Sequence, residues 1–286
     1  DAHQMADFFH TLQRTSGAEA DAIPDFLSTH PNPGDRNIAV DKLATEWSQK
    51  LSLKNPSVNR NTYLKRIDGL VFGEDPKQGF VENNVFYHPV LKLQFPIPAN
   101  WAFQNTPDKV QMAPKDGRAM MMLTLAPGKT LQEAATAIMQ QYNLQAIESK
   151  ETTVNGLNAI AIVADQVPAQ EQGQQQQQVI RTLSYIIQYN NMIYHMIGVS
   201  SSTDFNNYLP LFTSTMQSFR ELTDVNKLNR KPDRVRIKTV KQSGTLQQAL
   251  LSFNVPQKRL EEIAIVNGMN LSDKITQGTL IKVIEQ

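Results

Sequence analysis

The chain has 286 residues, a length that predicts two or three domains. Hydrophobic residues make up 40% of it and charged residues 19%, which is typical of a folded globular chain and excludes a disordered one. The net charge of +1 argues against a basic nucleic-acid-binding surface that covers the whole chain. The absence of cysteine excludes disulfides and thiolate zinc sites. No run of about 18 apolar residues occurs, so no membrane-spanning segment is predicted.

The first region, residues 1–76, is predicted to be helical. One apolar stripe marks an opening helix at Met5, Phe8 and Leu12. After a turn-rich stretch at 23–36, a spacing of four marks a second helix at Ala39, Leu43, Trp47 and Leu51, and a short third helix follows at 62–67. Because a lone amphipathic helix has nothing local to bury against, we expect that the chain was cut from a longer protein. A processed or tag-cleaved start at Asp1 is the alternative.

The second region, residues 79–222, is predicted to be an antiparallel α+β sandwich, because its strands are grouped and its helices interspersed. Apolar patterns predict strands at 91–95, 110–112, 121–125, 154–163, 179–189 and 193–199. They predict helices at 130–142 and 203–219. Asn190-Asn191 is typical of a two-residue hairpin turn. The glutamine-rich stretch 170–178 has no packing pattern and is predicted to be an exposed hairpin loop.

The third region, residues 234–286, is predicted to be a small βααβ module. Its pattern gives a strand at 235–240, helices at 246–253 and 256–266, and a strand at 280–284. Eight basic and four acidic residues give it a charge of +4, which is only mildly basic. The fold class expected for the whole chain is therefore α+β.

No complete catalytic motif occurs in the sequence. It contains no H-E-x-x-H segment, nucleophile elbow, P-loop or dinucleotide fingerprint. A catalytic zinc needs about three converging protein ligands, and the spacing of the five histidines offers no such trio. His195 lies in an apolar strand and is predicted to be a satisfied core residue. Enzyme activity is not expected from this chain alone.

The most specific short motif is Phe26-Leu27-Ser28-Thr29-His30-Pro31, followed by Arg36. Taken by itself, the segment reads as a helix N-terminus that Asp35 caps. It also resembles the H-P-x-x-x-x-R segment of the gluzincin family that includes the CAAX prenyl proteases and periplasmic quality-control proteases. Helix 1–14 is similar to the helix that follows the third zinc ligand in that family. The resemblance covers roughly residues 1–55.

This resemblance implies a zinc cofactor in a full-length parent and none in this chain. Family members hold zinc with the two histidines of H-E-x-x-H and a later glutamate, segments that would precede Asp1. The resemblance places His30 and Arg36 in the active site of the parent, with His30 facing the metal. His30 would act either as a ligand that keeps the enzyme latent or as an oxyanion donor. Arg36 would brace the loop or a nearby carboxylate.

The other two regions carry weaker resemblances. Four segments resemble an envelope-protease extension, with a strand–helix order similar to the PsbP-like fold, at 86–89, 95–101, 154–157 and 218–220. The last region resembles LysM, a module that binds N-acetylglucosamine-containing glycans, which implies glycan contacts by Gly244, Thr245, Leu246 and Asn267. The usual Gly-Asp is replaced by Ser243-Gly244, so a packing module without a ligand is the alternative.

Together these patterns predict the non-catalytic C-terminal portion of a zinc metalloendopeptidase of the cell envelope, periplasmic or secreted. Its parent would act on protein or peptide substrates, and peptidoglycan is a further expected partner. The alternative is a peptidoglycan-associated binding protein that carries a degenerate protease remnant. An H-E-x-x-H segment upstream of Asp1 would distinguish the protease from the binding protein.

Overall fold

The computed structural model describes residues 1–16, 33–166 and 178–286. Within this part the chain forms eight α-helices: α1 (His3–Ser16), α2 (Pro33–Lys50), α3 (Arg60–Ile67), α4 (Leu131–Gln141), α5 (Phe205–Gln217), α6 (Val225–Leu228), α7 (Leu246–Ser252) and α8 (Leu260–Asn267). The same part forms fifteen strands: β1 (Phe80–Glu82), β2 (Val85–His88), β3 (Leu93–Pro96), β4 (Trp101–Asn105), β5 (Lys109–Pro114), β6 (Ala119–Leu125), β7 (Leu144–Val154), β8 (Leu157–Gln166), β9 (Ile180–Tyr189), β10 (Met192–Ser201), β11 (Arg220–Glu221), β12 (Arg234–Thr239), β13 (Gly244–Thr245), β14 (Lys274–Ile275) and β15 (Leu280–Glu285). None of the described helices combines the length and the apolar character needed to cross a bilayer.

The chain divides into two compact units, which we call the terminal unit (Asp1–Gly73 with Pro232–Gln286) and the sandwich unit (Glu74–Lys231). Both combine helices with antiparallel strand pairs, so the predicted α+β class is confirmed. The sequence predicted three regions. The helices of the first and the βααβ elements of the third lie in the same compact unit.

The sandwich unit is built on a seven-stranded antiparallel sheet with the order β4-β5-β6-β10-β9-β8-β7. One face of this sheet packs against α5 and the small sheet β1-β2-β3-β11, and the other face packs against α4. Successive residues of β8 therefore face different cores: Ala159 and Ala161 face the first, and Ile160 and Ile162 the second. Burial on both faces explains why this strand reads as a continuous apolar run.

The tight hairpin predicted at Asn190-Asn191 is confirmed. Both residues have positive φ, 49° and 59°, and Tyr189 pairs with Met192 across the turn. Asparagine tolerates the left-handed region better than other side-chain-bearing residues, and a primed turn matches the twist of the strands.

The six strands and two helices that the apolar patterns predict in this unit are present, and the structure adds elements that were not predicted: β1, β2, β4, β7, β11 and α6. The helix predicted to reach Phe219 ends at Gln217, because Ser218 is its C-cap and the fully buried Phe219 follows outside it. A strand, β7, precedes the one predicted from Val154. The loop predicted at 170–178 lies outside the described residues except for Gln178.

The terminal unit contains the predicted order of strand, helix, helix and strand. β12 pairs with β15 in antiparallel register, from Arg234 opposite Glu285 to Thr239 opposite Leu280. The two helices α7 and α8 pack on this ribbon through buried apolar side chains, among them Leu246, Leu250, Leu260, Ile263, Ile281 and Val283. The apolar spacing of the sequence thus places the core of the module correctly.

The helices of the first region contact this module. From α1, the Arg14 guanidinium donates to the backbone oxygen of Met269 at 2.8 Å and to Glu261 Oε1 at 2.9 Å. The side chain of Asp68, directly after α3, accepts the amide of Ile237 at 3.0 Å. These bonds explain why the first region and the last form one compact unit.

Candidate functional site

The predicted metal site is described only in part. His30 lies outside the described residues, so its assignment as a metal ligand stays a prediction. Arg36 lies in the first turn of α2, and its guanidinium carbon is 5.8 Å from the centroid of the Phe9 ring. No three His, Cys, Asp or Glu side chains of residues 1–16, 33–166 and 178–286 are grouped to hold a metal ion. The described residues by themselves do not fit the zinc that the gluzincin resemblance implies.

His195 is confirmed as a satisfied core residue. It is 1% exposed, and its Nε2 forms a 2.9 Å hydrogen bond with the hydroxyl of Ser184. Burial lowers the pKa of His195 to about 4, so the ring is neutral at pH 7. A buried neutral imidazole with a hydroxyl partner is a packing feature and not a catalytic base.

Three of the predicted glycan-binding residues begin helix α7. Thr245 Oγ1 accepts the amide of Gln248 at 3.3 Å, and Gln248 Oε1 accepts the amide of Thr245 at 2.9 Å, which forms a capping box. Leu246 is fully buried. At Gly244 an added Cβ would lie 2.5 Å from Gln248 Oε1, so glycine leaves room for the cap.

The fourth predicted glycan-binding residue, Asn267, ends helix α8. Its Nδ2 donates to the backbone oxygens of Ile263 and Lys282, each at 2.8 Å, and its Oδ1 accepts the Lys282 amide at 2.8 Å. All four residues therefore serve the folding of the module. Their contact with a glycan stays a prediction.

The sandwich unit contains a cavity of about 650 Å³, which we call the sandwich cavity. It opens between the β2–β3 connection, the start of β5 and the end of β6. Its floor consists of buried side chains from five strands: Phe86, Leu93, Val110, Leu123 and Tyr194. No sequence motif indicated this cavity, because its lining is dispersed between positions 77 and 194.

Polar and apolar residues both line the sandwich cavity, and three of the polar ones are poorly suited to catalysis. Burial, followed by the neighbouring Tyr189, raises the pKa of Tyr194 to about 12, which keeps its hydroxyl neutral. Burial also lowers the pKa of His88, whose Nδ1 accepts the amide of Leu91 at 3.2 Å. Thr106 Oγ1 donates to the backbone oxygen of Lys109 at 3.1 Å instead of to a base. The arrangement is suited to binding and lacks a base-activated nucleophile among the described lining.

Comparisons with known proteins show the following. No protein-family model and no curated protein matches the sequence. Among solved structures, PsbP of Synechocystis has 10% identity and a TM-score of 0.37, covering 48% of this chain and 91% of that one. The Ran-binding protein Mog1p of Saccharomyces cerevisiae has 8% identity and a TM-score of 0.37, covering 50% and 97%. LpqN of Mycobacterium tuberculosis, described as involved in cell envelope biogenesis, has 6% identity and a TM-score of 0.29, covering 58% and 98%.

The presence of a PsbP protein among these structures agrees with the coarse part of the resemblance predicted for the middle region. At such identities and TM-scores the similarity carries no argument about function. What the structure itself defines is a two-unit α+β chain with a ligand-sized cavity in its sandwich unit.

Proposed function

We propose that this chain is a non-catalytic C-terminal portion of a zinc-dependent metalloendopeptidase of the cell envelope, periplasmic or secreted, with a role in protein quality control. The observation that carries the proposal is the exposure of large apolar side chains on α1 and α2. These are the helices that the gluzincin resemblance assigns to a protease domain. Their apolar surface supports burial against the zinc-binding portion of that domain.

Helices α1 and α2 meet through small residues. Ala6 and Ala44 are 3% and 5% exposed, and the side-chain amide of Asn37 donates to the backbone oxygen of Ala6 at 2.6 Å. Their large apolar side chains point away from this interface: Met5 and Phe8 are each 49% exposed, Leu43 51% and Trp47 52%, and Leu51, directly after α2, is 58% exposed. Such a pair has its bulky residues outside and its small residues inside, which is the reverse of a helix pair that folds alone.

The exposed area is large enough to matter energetically. Five side chains about half exposed leave roughly 500 Å² of apolar surface, because a large side chain covers about 200 Å². Burial of that area would contribute on the order of 12 kcal/mol at ~25 cal/mol per Å². The largest contiguous apolar patch on a typical monomer has about this area and is often functional.

In the proposed parent, zinc would activate a water and polarise the scissile carbonyl of a protein or peptide substrate. The described residues supply none of the zinc ligands, and His30 and Arg36 are assigned to that active site by resemblance alone. The peptidoglycan-binding alternative gains no support from Gly244, Thr245, Leu246 and Asn267, because internal contacts already engage these residues.

The intact gene product that contains this chain provides the test. We expect an H-E-x-x-H segment before Asp1, one zinc per molecule by elemental analysis, and casein hydrolysis that a chelator abolishes. Phe8→Asp and Trp47→Asp should each lower proteolysis and the Tm, whereas Val58→Asp, at a site that is also 51% exposed but outside both helices, should change neither. An intact protein without that segment or without zinc would overturn the proposal. Equal effects of Trp47→Asp and Val58→Asp would overturn the packing argument.

A further inference from the structure

The floor of the sandwich cavity is apolar and rigidly supported. Phe86 and Leu93 are 0% exposed, Tyr194 1%, and Val110 and Leu123 5% each. Each comes from a different strand, β2, β3, β10, β5 and β6 respectively. Sites built on strands hold their shape better than sites built on loops, so these buried side chains support the cavity, and its exposed apolar surface comes from residues nearer the mouth.

The mouth of the sandwich cavity is also lined by apolar side chains. Val90, in the β2–β3 connection, is 63% exposed, and Leu125, the last residue of β6, is 56% exposed. Both residues lie in the lining with the buried floor residues, and they supply apolar surface that a ligand can cover. An apolar chain that enters the cavity therefore gains contact along its length.

Three polar side chains of the wall each use one hydrogen-bonding group on the backbone, and Gln78 and Thr124 also line the cavity. Asn105 Nδ2 donates to a backbone oxygen at 2.8 Å, Thr106 Oγ1 donates to another at 3.1 Å, and His88 Nδ1 accepts a backbone amide at 3.2 Å. A bound peptide would bury its own N–H and C=O groups without these partners, which is costly. An alkyl chain has no such groups and needs no hydrogen-bond partner from the wall.

The rim of the sandwich cavity selects the head group of that ligand. Lys77 and Lys109 lie on the rim with a single carboxylate, Asp108. Neither lysine forms an ion pair with any residue that the structure describes. Two cations against one anion give the rim an excess of positive charge, which is complementary to an anionic head group.

We propose that the sandwich cavity binds an aliphatic carboxylate of the fatty-acid type, with its alkyl chain against the apolar side chains at the mouth and its carboxylate toward Lys77 and Lys109. The cavity volume of about 650 Å³ lies within the range of ~300–1,000 Å³ that is usual for ligand pockets. This inference rests on the sandwich unit alone and is independent of the proposed protease function.

Isothermal titration of the complete 286-residue chain with hexanoate, octanoate, decanoate and decanol tests the proposal. Each added methylene should raise the affinity about fourfold, the value expected for a buried CH₂. The double variant Lys77→Gln/Lys109→Gln should lower decanoate affinity about tenfold and leave decanol affinity unchanged. The control Lys150→Gln, at an exposed position on β7, should change neither.

A second pair of variants tests the apolar mouth without disturbing the buried floor. Leu125→Asp should abolish decanoate binding, whereas Ile147→Asp, at a position on β7 that is 55% exposed, should not. Co-sedimentation with phosphatidylglycerol vesicles separates a free carboxylate from a lipid acyl chain, and we expect none. The proposal is overturned by absent or chain-length-independent binding of decanoate, or by vesicle binding that Leu125→Asp removes. It is also overturned if a peptide with an apolar C-terminus binds as tightly as decanoate.

Discussion

Replacing Asn267 with alanine should destabilise the terminal unit strongly, because this one side chain joins α8 to β15. Its amide nitrogen donates to two backbone oxygens and its oxygen accepts one backbone amide, all at 2.8 Å. Two of these three bonds go to the N–H and C=O of Lys282. The side chain thus pairs with the outer edge of β15 as a neighbouring strand would.

The magnitude follows from the number of bonds and their burial. Each hydrogen bond contributes about 1 kcal/mol net, so losing three lowers the free energy of unfolding of the terminal unit by about 3 kcal/mol. Water does not fully replace the lost partner, because the surroundings are partly dehydrated. Asn267 is itself half-buried, and burial, followed by the charge of Arg60, lowers the pKa of the neighbouring Lys282 side chain.

Hydrogen exchange of the backbone amides of β15 measures the effect in the complete chain. A loss of about 3 kcal/mol should speed exchange roughly 150-fold where unfolding of the unit limits it. Asn270→Ala is the matched control, since Asn270 is exposed and lies three residues further along the chain. Its effect should stay within about 0.5 kcal/mol. If the two alanine variants exchanged at the same rate, the strand-edge role of Asn267 would be refuted.

Three further predictions concern the sandwich unit. Gly198→Ala should lower the free energy of unfolding in urea by about 2 kcal/mol, because the new Cβ would lie 2.5 Å from the buried ring of Phe212. Adding Phe212→Leu should recover part of that loss, and strictly additive effects of the two substitutions would contradict the reasoning. Arg181→Lys should lower the free energy of unfolding by about 1 kcal/mol, because lysine cannot replace the two hydrogen bonds that Nε and Nη2 of Arg181 donate to the carboxylate of Asp165 at 2.8 and 2.9 Å. An unchanged Tm would contradict this. Burial holds the pKa of His195 at about 4 in the folded chain, below the unfolded value near 6.5. The unfolded chain therefore binds more protons between these values, and stability falls as the pH drops from 6.5 toward 4. His195→Gln should remove this pH dependence, and an NMR titration midpoint of His195 near 6.5 would count against the prediction.

The central strands of the sandwich unit were predictable because burial on both faces leaves a long apolar run. β8, β9 and β10 are each 10 residues long and mostly buried, so their sequences contain few polar interruptions. The turn residues Asn190-Asn191 then indicated how two of them join. The apolar runs and the turn residues predict the same antiparallel strands here, and the structure contains them.

β7 was not predicted because it has almost no apolar pattern. It is an edge strand whose residues are largely exposed, and it carries Glu148, Lys150 and Glu151. A register shift between Ala146 and Glu148 also breaks the alternation of its faces, at the exposed Ile147. Charges and a bulge protect an edge from pairing with another chain, and the same features remove the signal on which sequence analysis depends.

The sandwich cavity could not be predicted because it depends on pairing between distant segments. β6 pairs with β10 so that Leu125 at the mouth lies opposite Tyr194 of the floor. The charged rim comes from Lys77 and Lys109 on separate segments. None of these residues stands in a motif, and each alone reads as an ordinary strand or loop residue. Only the tertiary register brings them together.

Thr245 and Asn267 show why the residues of a motif can be explained by folding without a ligand. Thr245 caps α7 and Asn267 holds β15, so both side chains stabilise the module, whether or not it binds a glycan. Variants of either residue would weaken peptidoglycan retention simply by destabilising the module. A decisive test of glycan binding must therefore change exposed side chains that make no internal bond. The exposed Lys77 and the half-buried Lys109 suit the corresponding test at the sandwich cavity, because neither side chain is held in an ion pair with the described residues.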